Sequence, residues 1–495
     1  MLALFDDQTS IAAVFVAIVV AKLLLHYSRW WIEELQVAWS GYNLSLRAGK
    51  AILQSFPKNR HSSDQSAPYE QIEGYLPQNL DDSLAFTPFK VSPTLTLKNR
   101  IIRAAAFGGS TIDDIIACHC EVAKGGAAMT TIAYACVSSD GITFKQQLLL
   151  NEKHDASIRQ KLIAIVNNVH QYGCKISIQL THGGGFADPA VVGSHTLAPS
   201  SIFNPAGMNW PKEMKRDDMD RISKDFTDAA VLCREAGFDA VELHCGHGYL
   251  LSQFLCPYTN RRVDEYGGYD PRRHLSGSIT HRLKFPLEVL RRIRRNVGED
   301  FPIFVKFNVH DGFEQGIQID DVVTAARAFA KAGASMLIPS GGFVSRNGLY
   351  MLRGNVPLLA MVKAMPGMLK SLATLLLGPL FVPTTAFEAC FFREEARMVK
   401  DSVSIPVCLI GGVISLPIIE GALREHFACV QMARAIIRNP EIVNSWKELL
   451  ISLSKSRQKI ALNEMNMLTS KCSHCNMCVV STLDPTLGMK CVERR

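Results

Sequence analysis

Eight short β-branched or apolar runs recur through the chain, and stretches of helical period separate them. They read NRIIRAAA (99–106), AAMTTIAYACV (127–137), CKISIQL (174–180), AVELHC (240–245), PIFVKFNV (302–309), ASMLIPSG (334–341), IPVCLIGG (405–412) and FACVQMAR (427–434). A strand followed by a helix, repeated, builds a parallel sheet with helical crossovers. Eight such units close most economically into a (β/α)8 TIM barrel; an open doubly wound sheet is the alternative. The barrel is favoured because Gln179, His244, Lys306, Ser340, Gly411 and Arg434 all fall at the carboxyl ends of these runs, where barrel enzymes assemble their chemistry.

The 495 residues are 47% hydrophobic and 20% charged, the balance of a folded chain. The net charge of +7 comes from scattered Lys and Arg without basic runs, so no nucleic-acid partner is expected. Cysteines set singly in apolar runs, as in VLCREAGF and PVCLIGG, read as buried free thiols in a reducing compartment.

From Ile11 to Leu25 the chain is almost uniformly apolar, interrupted by Lys22 and closed by Tyr27, Trp30 and Trp31. Residues 11–31 suit a single transmembrane anchor with aromatic residues at the interface, and a buried or interfacial helix is the other reading. Lys22, Arg29, Arg47 and Lys50 follow the acidic start, which places the catalytic body on the cytosolic side of the membrane. The expected organisation is an anchor over 1–31, a polar linker over 32–84, a barrel over 85–455 and a Cys-rich tail over 456–495.

His244, His247 and Tyr249 crowd the mouth of the fourth run. Two imidazoles can hydrogen-bond one oxygen while a phenol delivers a proton nearby. Packing roles and a zinc pair are the competing readings, and no third ligand is spaced with the histidines. Gly411-Gly412 before a helix, and Arg434 one unit later, suit a phosphate grip at the seventh and eighth loops.

The stretch GFDAVELHCGHGYLLSQFLCPYTNRRVDEYGG resembles the signature of the Old Yellow Enzyme family, and the likeness runs from FTPFKVSPTLTLKNRIIRAA to ARAIIRNPEIVNSW. That resemblance implies FMN at the top of the barrel, NADH or NADPH as reductant, and reduction of the C=C bond of α,β-unsaturated carbonyl compounds. His244 and His247 would hold the substrate carbonyl oxygen, and Tyr249 would protonate the α carbon. Ala104, Ala105, Ala106, Phe107 and Tyr134 would lie against the flavin, Gln179 at its pyrimidine edge and Lys306 near N1. Gly411, Gly412, Ala433 and Arg434 would take the phosphate. Three features depart from the family: Ala106 and Phe107 lack the Thr or Cys donor found there, Gly185 replaces an Arg, and Ala433 replaces a Gly.

The tail carries Cys472, Cys475, Cys478 and Cys491 as C-x2-C-x2-C-x12-C. Four thiolates so spaced suit a [4Fe–4S] cluster or tetrahedral zinc, and unliganded thiols are the third reading. The tail resembles the segment following the flavin barrel in trimethylamine dehydrogenase and 2,4-dienoyl-CoA reductase. The alternatives to an ene-reductase are therefore an iron–sulfur flavoenzyme of that kind and a noncatalytic membrane flavoprotein. The 361–392 insertion, between the sixth and seventh runs, reads as a lid, an apolar surface or an extra helical layer.

Overall fold

A computed structural model describes residues 76–494, apart from 208, 273–275, parts of 365–381, 457–465 and 484–487. All eight expected runs are strands: β1 (Ile101–Ala106), β2 (Met129–Cys136), β3 (Lys175–Thr181), β4 (Ala240–Cys245), β5 (Ile303–His310), β6 (Met336–Gly341), β7 (Cys408–Ile410) and β8 (Cys429–Met432). They form one parallel sheet in the order β6-β5-β4-β3-β2-β1-β8-β7. Its two edges meet in a parallel bridge between Leu337 and Val407, where the Leu337 N–H donates to the Pro406 carbonyl at 3.0 Å. The sheet is therefore a closed barrel.

The crossover helices are α1 (Ile112–Lys124), α2 (Ile158–His170), α3 (Arg216–Glu235), α4 (Lys284–Val297), α5 (Ile319–Lys331), α6 (Arg393–Ser402), α7 (Leu416–Arg424) and α8 (Ile442–Ser456). Their inward faces follow the helical period. In α5, Val322, Ala325, Ala326 and Phe329 are buried at spacings of three and four. Burying Phe329 alone contributes up to about 3 kcal/mol. Helix α1 starts on a reciprocal cap, in which the Thr111 side chain accepts from the Asp114 N–H and the Asp114 side chain from the Thr111 N–H.

Two layers fill the barrel interior. The lower one is apolar, built from Ile102, Met129, Ala240, Phe304, Met336 and Cys429, and is plugged by Leu97 of an antiparallel pair (Phe89–Lys90 with Thr96–Leu97) and by the adjoining Leu95. The upper layer is polar and carries the candidate site.

The last residues of the expected linker belong to this packing. Leu76, Leu80 and Leu84 lie against the main core. Buried Glu420 of α7 accepts hydrogen bonds from Ser83 Oγ and from the Leu84 and Ala85 N–H groups. The expected span at 11–31 lies outside the described residues; among the described residues no helix is long and apolar enough to cross a membrane.

Candidate functional site

Strand register assembles the upper layer. Gln179 on β3 stands beside Glu242 on β4, and His244, two residues further on the same face, stands beside Lys306 on β5. Glu242 is fully buried. Its Oε1 accepts from Gln179 Nε2 at 2.6 Å and lies 2.8 Å from Lys306 Nζ, while its Oε2 accepts from Gln431 Nε2 at 3.0 Å. One carboxylate on β4 thus organises two amides and one ammonium from three other strands. Neither Glu242 nor Gln431 was singled out from sequence, although an acid inside the apolar run AVELHC is itself a signal.

Above this layer stand the two histidines and the tyrosine. The His244 ring lies 4.9 Å from that of His247 and 4.8 Å from that of Tyr249, centroid to centroid. His247 Nε2 is 2.8 Å from Ser340 Oγ, and His244 Nδ1 is buried without a hydrogen-bond partner. Burial, then the neighbouring His247 and the Lys306 charge, hold the His244 pKa well below its ordinary value; burial and Lys306 hold His247 down to about 3. Both imidazoles are neutral at neutral pH, each with one N–H to donate. Burial raises the Tyr249 phenol well above its ordinary value, so it keeps its proton.

The first two strands wall one side. Ala104 and Ala106 are buried and Ala105 is half-buried. The β1–β2 register shifts between Arg103 and Ala106, and the Ala106 carbonyl turns to accept from the buried Arg103 guanidinium at 3.1 Å. The Phe107 ring stacks 6.2 Å from that of Tyr134, which in turn lies 5.9 Å from Tyr249. Burial pushes the Tyr134 phenol up to about 12. The structure thus brings Phe107, Tyr134, Tyr249 and His244 into one aromatic wall.

The seventh and eighth loops meet the insertion and the tail. Gly411 and Gly412 have φ of +96° and +75° and lie against Phe391, Phe392 and Cys390 of the insertion, whose Cys390 N–H donates to the Gly412 carbonyl at 3.2 Å. Arg434, following Ala433 at the exit of β8, donates from one nitrogen to the Arg353 carbonyl at 2.8 Å and to Asn476 Oδ1 at 2.7 Å. Asn476 lies between Cys475 and Cys478. The residues expected to grip a phosphate follow the paired strands β7 and β8, and Arg434 holds the tail.

The four tail cysteines come together. Cys472, Cys475, Cys478 and Cys491 line one small cavity with Arg434, Ile437 and Asn476. Cys478 also shares an apolar cluster with Ala106 and Ile437. The Met489 N–H donates to the Phe107 carbonyl at 2.9 Å, so the tail is stitched to the loop after β1. Among the described residues, no three His, Cys, Asp or Glu side chains are spaced as ligands of one metal ion.

Barrel enzymes assemble their chemistry at the carboxyl ends of the strands, where this polar layer lies. The sequence profile of the NADH:flavin oxidoreductase / NADH oxidase family matches residues 84–341, and the chain belongs to that family of FMN-binding, NAD(P)H-linked oxidoreductases. It is 34% identical to the 4,4'-dithiodibutanoate disulfide reductase of Rhodococcus erythropolis over 83% of this chain and 94% of that protein. It is 28% identical to the multifunctional alkene reductase/demethylase OYE of Caballeronia cordobensis over 70% of this chain and 47% of the other. Among solved structures, 2-naphthoyl-CoA reductase in complex with 2-naphthoyl-CoA superposes with a TM-score of 0.63 at 19% identity, over 83% of this chain and 57% of that one. That likeness shows the fold. The chain spans nearly all of the first relative and about half of the other two.

Proposed function

We propose that this protein reduces the activated C=C bond of α,β-unsaturated carbonyl compounds, with FMN as its cofactor and NADH or NADPH as reductant. The observation that carries the reading is the grouping of two neutral imidazoles and one protonated phenol, with ring centroids within 5 Å of His244, at a mouth floored by Gln179, Glu242 and Lys306.

The donor set fits FMN. Gln431 Oε1 and His244 Nδ1 are buried without partners, and an amide, an ammonium and a second amide converge on the Glu242 carboxylate beside them. Gln179 would meet the pyrimidine edge, Lys306 would present positive charge near N1, and Gly411, Gly412, Ala433 and Arg434 would hold the phosphate. Ala104, Ala105, Ala106, Phe107 and Tyr134 would flank the ring. When bound, FMN supplies hydride transfer to carbon.

His244 and His247 hold the substrate carbonyl oxygen through their N–H groups, which stabilises the negative charge gathering there. Their neutrality lets them do so without delivering a proton to that oxygen. Tyr249, beside His244, donates its proton to the α carbon. The experiment is rapid mixing of the reduced enzyme with cyclohexenone, following the flavin absorbance. Reoxidation dependent on the enone, with cyclohexanone as product, is expected; protein that purifies folded without FMN, or that leaves the enone intact, overturns the reading.

A second reading adds a [4Fe–4S] cluster at Cys472, Cys475, Cys478 and Cys491, each thiolate on its own iron, supported by the shared cavity and by the packing of Cys478 on Ala106. An iron–sulfur cluster, when bound, supplies one-electron transfer. Iron, sulfide and zinc analysis of anaerobically purified protein tests this reading.

A further inference from the structure

His247 has a φ of +59°, a left-handed conformation that is uncommon for a residue with a β carbon. Holding it is unfavourable, and neighbouring contacts must offset the strain. Three contacts do so. Its N–H donates to Asn308 Oδ1 at 2.9 Å, its carbonyl accepts from the Val344 N–H at 3.0 Å, and its ring meets Ser340.

Asn308 is the centre of this arrangement. It lies on β5, two residues beyond Lys306, and is 2% exposed. Its Nδ2 donates to Asp311 Oδ1 at 2.6 Å and to the Gly342 carbonyl at 2.8 Å. Because two acceptors face the nitrogen, the amide oxygen must face the His247 N–H, and the flipped amide would lose all three bonds. Asp311 is itself fixed, since its other oxygen accepts from the Ile317 N–H at 2.8 Å. Gly246 leaves room for the approach: a β carbon there would lie 2.8 Å from Asn308 Oδ1. One buried amide therefore joins the exit of β4, which carries His247, to the exit of β6, where Gly342 follows the Ser340 that meets the His247 ring.

We propose that Asn308, oriented by Asp311, is a positioning residue that sets the separation and angle of His247 relative to His244, and hence the geometry of the substrate-oxygen site. This rests on the reading that His247 holds that oxygen.

The test is a double-mutant cycle on the FMN-loaded enzyme. The probe is 4-hydroxybenzaldehyde, whose phenolate oxygen two imidazole N–H groups can hold; binding is read by absorbance titration and cyclohexenone turnover by kcat and KM. Asn308→Ala is expected to weaken probe binding roughly tenfold, within the range of coupled neighbours, and to have no further effect when His247 is already Ala. Asp311→Asn, which keeps the side-chain shape, should show a smaller loss with the same non-additivity, and serves if Asn308→Ala does not fold. Losses that add independently to that of His247→Ala, or single variants with wild-type binding and turnover, overturn the proposal. Unchanged probe binding in His247→Ala alone instead overturns the substrate-oxygen reading, so the two failures are distinct.

Discussion

Lys306 Nζ and Glu242 Oε1 lie 2.8 Å apart, and both side chains are shut off from solvent at 2% and 0% exposure. Such a pair is costly to break from one side, because the remaining charge is left buried. Glu242→Gln should lower unfolding stability by about 3–5 kcal/mol, and Lys306→Met combined with it should recover most of the loss. Urea denaturation of the three variants measures this. A Glu242→Gln loss below about 1 kcal/mol would contradict a buried charge pair.

Tyr249→Phe keeps the ring that packs on His244 and removes the proton. Reoxidation of the reduced enzyme by cyclohexenone should slow about 10²–10⁴-fold while reduction by NAD(P)H stays largely intact. Stopped-flow measurement of each half-reaction checks it, and an unaltered oxidative rate assigns the proton to another donor.

Arg434→Ala removes both the charge beside the eighth loop and the contacts to Arg353 and Asn476. FMN should be lost faster on dialysis, and limited proteolysis should cut the tail sooner. Full FMN retention with a loosened tail would make Arg434 a tail anchor alone.

Two fully buried imidazoles, His119 and His244, and the half-buried His247 have pKa values depressed chiefly by desolvation, His247 to about 3. The unfolded chain binds protons near pH 6.5 and the folded one does not. Their contribution is therefore present in full above about pH 6.5 and is lost as pH falls toward the folded values, at up to about 1.4 kcal/mol per pH unit for each. Urea midpoints from pH 7.5 down to 5 should show this fall, and His247→Asn should make it shallower. An equal slope in the variant would show that His247 accepts a proton in the folded state.

The eight strands were legible because each keeps a short apolar run between helical periods, and the His244–Tyr249 grouping because its members lie within six residues. The organising role of Glu242 was not. It depends on barrel closure bringing positions 179, 242, 306 and 431 to one carboxylate, and no local spacing records that. The bond from Arg434 to Asn476 was hidden for the same reason: residues 42 apart meet only after the tail folds back over the barrel mouth. The left-handed backbone of His247 leaves no mark in composition, although the glycines on either side hint at a tight turn.

The Leu337–Val407 bridge closes the barrel at a single point, and the chain makes its longest excursion between those two strands. The perimeter therefore has a preferred place to part. Transient separation should start there, exposing the amides of β6 and β7 to hydrogen exchange before those of β3 and β4, which are paired on both sides. Because Ser340 and Gly411 sit on opposite lips of that seam, the same breathing would widen the mouth between the His247 side and the glycine turn.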